Sequence, residues 1–167
     1  MNYHKIEKCS IANGTGIRVV LWVSGCSLHC KGCQNPSTWD FNSGMLFDEA
    51  AKNELFKALD KPYIQGLTIS GGHALEPENF EFALNLVKEV KERFPTKDIW
   101  LYTGYLYEEL YYKRISRILL YTDILVDGPY IEEQRDITLK FRGSKNQRLI
   151  DIKETLKQGK IITLQND

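Results

Sequence analysis

Residues 17–33 read IRVVLWVSGCSLHCKGC, a run that changes from apolar to sulfur-rich within a few positions. Ile17 to Val23 is nearly all apolar and rich in β-branched residues, the pattern of a strand covered on both faces. Cys26, Cys30 and Cys33 follow at once, and their Cys-x3-Cys-x2-Cys spacing brings three thiolates onto one tight loop. Soft thiolates select zinc, copper(I) or iron–sulfur clusters. A structural zinc site wants a fourth ligand, for which the chain offers only His29, Cys9, His4 and His73. A cubane cluster on three cysteines instead leaves one iron open to a further ligand, and the spacing favours that reading over zinc or over three buried thiols. Cys9 lies well before the run and reads as a core or strand thiol.

Outward from this stretch, strand and helix patterns alternate. Asp48 is a candidate N-cap for a helix whose Ala51, Leu55, Ala58 and Leu59 recur at helical spacing until Pro62. Leu67 to Ser70 reads as a second strand. Pro77 suits a first helical turn, and Phe80, Ala83, Leu84, Val87 and Val90 form one apolar stripe. Asp98 to Tyr102, a helix around Glu108 to Leu120, and Asp123 to Val126 continue the series. Leu149 to Ile152, a short helix near Glu154 to Gln158, and Ile161 to Leu164 close it less distinctly. Such alternation implies an α/β fold with a parallel sheet and right-handed crossovers. A closed eight-fold barrel takes about 250 residues. The expectation is therefore an incomplete parallel (βα) barrel or an open curved parallel sheet.

The 167 residues, 43% hydrophobic, fit a single domain spanning 1–167. The 22 basic residues cancel the 22 acidic ones, which argues against a dominant nucleic-acid or anionic-membrane surface. Residues 140–160 are the exception: Lys140, Arg142, Lys145, Arg148, Lys153, Lys157 and Lys160 face only Asp151 and Glu154, as a solvated face or an anion-binding one. No apolar run approaches the roughly 20 residues of a membrane span, and MNYHKIEKCS is too polar for a secretory signal. A cytoplasmic, reducing setting is the expectation, in which crowded cysteines point to metal or redox chemistry before disulfides.

In parallel α/β folds ligands gather at the carboxyl ends of the strands. The unusual loops fall there each time: SGCSLHCKGCQN after the first strand, SGGH after the second, TGY after the third and DGPY after the fourth. Ser70, Gly71 and Gly72 would let backbone groups approach a ligand. Thr103, Gly104, Asp127 and Tyr130 could contact a nucleoside, or simply end strands. Asn13-Gly14-Thr15-Gly16 reads as a hairpin turn. Trp22 and Trp100 read as core, and Tyr105, Tyr107, Tyr111 and Tyr112 as packing on a helix.

The cysteine run after a first strand, with a Gly-Gly loop after the second, resembles the radical S-adenosylmethionine superfamily. The ordered stretches NGTGIRVVLWVSGCSLHCKGCQNPSTWDFNSG, TISGG, DIWLYTGY, DILVDGPY and FRGSKNQR resemble, within it, the activating proteins of anaerobic ribonucleoside-triphosphate reductase, which are glycyl-radical activases. That resemblance implies an oxidoreductase. Cys26, Cys30 and Cys33 would hold a 4Fe-4S cluster whose open iron chelates S-adenosyl-L-methionine. One electron would cleave the sulfonium to methionine and a 5′-deoxyadenosyl radical, which would take hydrogen from a glycine of the reductase. Gly32, Cys33, Gln34 and Gly72 match cofactor-contact positions, with Ser70 and Gly71 as neighbours. No side-chain acid or base is required. The partners implied are the large catalytic subunit of the reductase and an external electron donor such as flavodoxin or ferredoxin.

The departure from that pattern is at His73-Ala74, where an Asp or Glu followed by Pro is usual. A carboxylate complements the cofactor's amine, whereas an imidazole is neutral or positive, so cofactor binding is expected to be weakened or rearranged. His73 as a fourth cluster ligand would make a closed electron carrier. The alternatives are an activase for another glycyl-radical enzyme, a small radical synthase with a pterin-like substrate, and a non-enzymatic zinc or iron–sulfur module.

Overall fold

The computed structural model describes residues 1–164. Its elements are β1 (Asn2–Ser10), β2 (Ile17–Val23), β3 (Met45–Leu46), α1 (Glu49–Leu59), β4 (Ile64–Gly71), α2 (Pro77–Arg93), β5 (Asp98–Tyr102), α3 (Tyr107–Tyr112), β6 (Ile124–Asp127), β7 (Arg148–Asp151) and α4 (Ile152–Gln158). All seven strands share one sheet in the order β3-β1-β2-β4-β5-β6-β7, which is not closed. The centre, β2, β4, β5 and β6, is parallel. Both flanks are antiparallel: β1 against β2 and β3 on one side, β7 against β6 on the other.

The fold is therefore mixed α/β and open, and the expected uniformly parallel sheet is corrected at its margins. β1 escapes a reading by apolar runs because only Tyr3 and Ser10 of its residues are buried. It pairs with β2 across residues 11–16, so Asn13-Gly14-Thr15-Gly16 does turn a hairpin. The helix expected over Glu108–Leu120 is broken. α3 stops at Tyr112, Arg114 takes a left-handed φ of 57°, and a 3-10 stretch covers Ser116–Tyr121. Ile161–Leu164 supplies a single bridge, Thr163 to Ile150, instead of a strand.

The helix ends obey the local signals. The Asp48 carboxylate accepts the Ala51 N–H at 2.9 Å, and Pro77 opens α2 without wasting a donor. On one side of the sheet Val19, Leu21, Val23, Leu67, Ile69, Ile99, Leu101, Leu125 and Ile150 join helix residues such as Leu55, Leu59, Phe80, Val87 and Val90 in the main apolar cluster. Successive strand residues point to opposite faces, so the other face takes Arg18, Trp22, Thr68, Ser70, Trp100 and Tyr102. Loops cover that face: the Thr68 hydroxyl donates to the Asn13 carbonyl, and Phe141 packs edge-on to Trp100 at 5.4 Å.

Candidate functional site

The cysteine loop is fastened at its base. Gly25 N–H donates to Thr38 O at 2.8 Å, Cys26 N–H to Trp39 O at 3.0 Å, and His73 N–H to Gly25 O at 2.7 Å. His29, between the first two cysteines, adopts a left-handed φ of 44° and stacks on Trp39 with ring centres 4.5 Å apart. Asn35 N–H reaches Cys33 Sγ at 3.4 Å. Burial pushes the Cys26 thiol above its ordinary value, with the Glu76 charge adding to it.

The four strand-ending loops meet around one cavity of about 330 Å³. Cys26, Cys30, Cys33 and Gln34 line it from the first loop, Ser70, Gly71, Gly72 and His73 from the second, Thr103 and Gly104 from the third, and Gly128 and Tyr130 from the fourth. Of the residues singled out for cluster or cofactor contact, only Gly32 is absent from this wall. It turns the loop at φ 72°, where a Cβ would lie 2.0 Å from the Glu132 carboxylate.

Gly72 has a reason of its own to lack a side chain: a Cβ would approach Gly25 O to 2.7 Å and Val23 O to 3.0 Å. Its N–H is already donated to Val23 O at 2.8 Å. Close backbone approach is thus spent mainly on packing the second loop against the first, which leaves the Gly72 carbonyl for a ligand.

His73 is 1% exposed and belongs to a buried chain of hydrogen bonds. Its Nδ1 lies 3.1 Å from Glu76 Oε1 and its Nε2 2.8 Å from Thr103 Oγ1. The Glu76 carboxylate can only accept, so Nδ1 donates to it, and Thr103 Oγ1, which also accepts the Tyr105 N–H, closes the chain at Nε2. Both imidazole nitrogens being engaged, His73 does not serve as a fourth cluster ligand in this arrangement. Glu76 Oε1 also accepts from Ser27 N–H at 2.9 Å and Ser27 Oγ–H at 2.8 Å. Burial opposes ionisation of Glu76, but these donors outweigh it and bring its carboxyl down to about 2.

The other histidines and the fourth cysteine lie elsewhere. His4 Nε2 contacts Ser43 Oγ at 2.9 Å, and Cys9 is exposed on β1, a strand thiol and not a core one. Asp127 is not a nucleoside contact: it is fully buried, ion-paired with Arg148, and accepts the Tyr107 N–H. The basic segment is largely neutralised in the same way, through Arg148 to Glu108 and Asp127, Lys153 to Asp123, Lys145 to Asp136 and Lys157 to Glu154.

Several wall residues were not singled out in the sequence. Trp22 is partly exposed and lines the cavity instead of the core, while Trp100 is buried. Burial pushes the Tyr102 hydroxyl well above its ordinary value as it donates to Phe141 O at 2.6 Å. Arg142 is the one charged side chain in the described wall, and its buried Nε has no partner among the described residues. The only sequence signal for it was the FRGSKNQR stretch.

Among the described residues, no three His, Cys, Asp or Glu side chains stand together as a single-ion site. The three thiols, all unpaired, share the cavity wall with a neutral Gly-Gly edge and one cation. Such a donor set suits a thiophilic iron–sulfur group with space beside it for a small zwitterion. In keeping with this, a family model described as a 4Fe-4S single cluster domain matches residues 12–150. The chain is 49% identical over 149 residues to the anaerobic ribonucleoside-triphosphate reductase-activating protein of Enterobacteria phage T4, covering 89% of this chain and 93% of that one. It is 45% identical to the protein of the same name from Haemophilus influenzae and 41% to that from Escherichia coli K12, over 88% of this chain and 96% of theirs in both cases.

Proposed function

Since the chain belongs to the family of anaerobic ribonucleoside-triphosphate reductase-activating proteins, with a 4Fe-4S domain, we propose that it generates the glycyl radical of that reductase at the cavity described above. The reaction proposed is one-electron reduction of S-adenosyl-L-methionine to methionine and a 5′-deoxyadenosyl radical. That radical takes a hydrogen atom from a glycine of the reductase's large subunit, giving 5′-deoxyadenosine and the glycyl radical. The fold is read accordingly as a radical S-adenosylmethionine domain, an incomplete barrel, working in the cytoplasm with flavodoxin or ferredoxin as electron donor.

Cys26, Cys30 and Cys33 would hold the cluster, which when bound supplies the electron. Around it the chain's own groups do the rest. Gln34, Ser70 and the Gly71 and Gly72 carbonyls offer neutral oxygen acceptors to the cofactor's amine, Arg142 offers its unpartnered Nε to an anionic group, and Tyr130 and Tyr102 offer aromatic walls. Gly32 would act indirectly, by turning the loop between Cys30 and Cys33. The single observation that carries this reading is that the three thiols and the Gly-Gly edge, distant in sequence, line one cavity at the carboxyl ends of the parallel strands.

The test is anaerobic reconstitution with iron and sulfide, then dithionite and S-adenosyl-L-methionine, with chromatography of the products. Methionine and 5′-deoxyadenosine in equal amounts, both lost in Cys26→Ala, are expected. Addition of the reductase large subunit should then give a glycyl-radical resonance. Intact S-adenosyl-L-methionine beside a loaded, reducible cluster would overturn the reading in favour of a binding module.

A further inference from the structure

The family pattern places a carboxylate directly after the Gly-Gly pair, and here that position is His73. The nearest carboxylate, Glu76, stands at the entry to α2, the place where a side chain ordinarily caps the helix, yet it makes no capping bond there. Its Oε1 is turned the other way, onto Ser27, the residue following Cys26. A glutamate 3% exposed and relieved of its helix-capping role is held there by something, and what holds it is the Nδ1 of His73.

We propose that His73 and Glu76 are positioning residues for the metal-binding loop: the imidazole, braced by Thr103, aims the Glu76 carboxylate at Ser27 and so fixes the backbone beside Cys26 from inside the protein. The inference rests on the reading of Cys26, Cys30 and Cys33 as cluster ligands.

Three features support it. The link crosses three loops, since Tyr105 N–H donates to Thr103 Oγ1, Thr103 reaches His73, and Glu76 reaches Ser27. The same segment is tied to the loop's base twice more, by His73 N–H to Gly25 O at 2.7 Å and by Asn79 Nδ2 to Ser24 O at 2.8 Å. The ring's orientation is fixed independently, edge-on to Tyr105 at 4.4 Å. A carboxylate so immobilised is unavailable to a ligand's amine; it acts through the Ser27 backbone, and it places a permanent negative charge near Cys26. Such a charge disfavours the addition of an electron to whatever the loop holds.

The experiment compares wild type, Glu76→Gln, His73→Ala and His73→Asn in two states. In the metal-free protein, amide exchange at Ser27 is read by NMR. His73→Ala should accelerate it about tenfold, and His73→Asn, which keeps a donor near the Nδ1 position, should restore it toward wild type. In the reconstituted protein the midpoint potential is read by EPR-monitored titration. Glu76→Gln keeps an oxygen for Ser27 but loses the charge, and should raise the potential with iron content unchanged. Wild-type Ser27 exchange in His73→Ala together with a wild-type potential in Glu76→Gln would overturn the inference while leaving the cluster reading intact. A wild-type protein that takes up no cluster would overturn the cluster reading instead, and the metal-free exchange would still decide whether His73 and Glu76 hold the loop.

Discussion

The two faces of this sheet are built from alternate residues of the same strands and differ in almost every respect. Toward the helices, Val19, Leu21, Leu67, Ile69, Ile99 and Leu101 present an aliphatic surface that any amphipathic helix can cover. Toward the loops, Arg18, Thr68, Ser70, Trp100 and Tyr102 present donors, acceptors and rings that only particular loop atoms can satisfy. Arg18 is fully buried, donates to Thr68 Oγ1, Leu67 O and Thr15 O, and pairs with Asp98 at 2.6 Å. One face closes by area and the other by valence. The cavity is on the face where packing is directional, because a pocket needs walls that do not collapse into it.

Substitutions that trade properties between the faces can break this contrast. The largest effect should come from Leu101→Ala on the helix side, about 4 kcal/mol by denaturant unfolding, because a fully buried leucine leaves a void among side chains that cannot all relax. Arg18→Met on the loop side should cost about 3 kcal/mol, most of it from buried acceptors left without donors. A cost near zero would show that this face too is held by area alone. Acid should expose the carboxyl-end network next. Glu76 is depressed in the folded state from 4.5 to about 2, so its contribution is complete above pH 4.5 and disappears as the pH falls toward 2. That loss, on the order of 2 kcal/mol, should vanish from the stability profile of Glu76→Gln. Last, Lys157→Ala should change stability by less than about 0.5 kcal/mol, since its pairing with Glu154 is exposed on the surface.

The helix-facing side was the legible one. Its strands and helices follow from apolar periodicity, as in Asp98–Tyr102 and in the stripe from Phe80 to Val90. The carboxyl-end loops were legible as unusual residue clusters, and they do share a cavity. What escaped was everything fixed by partners distant in sequence. β1 shows no apolar run because it is only half covered. Trp22 has a strand residue's sequence context but a cavity residue's exposure. Arg142 looks like one more member of a basic segment, and only the assembled cavity shows its side chain in the wall with an Nε unpartnered among the described residues. His73 could be recognised as a departure, but its link to Thr103 and Glu76 spans loops whose meeting no local pattern encodes.

The fastened base of the cysteine loop has a consequence for the life history of the protein. Gly25, Cys26 and His73 anchor it through backbone bonds that involve no sulfur, so the base of the loop is expected to hold its shape whether or not the thiolates carry a group. Small metallo-domains that fold only around their metal couple its loss to unfolding. A loop based in this way is expected to separate the two events: circular dichroism of the chain stripped of iron and sulfide should show a folded shell able to take them up again.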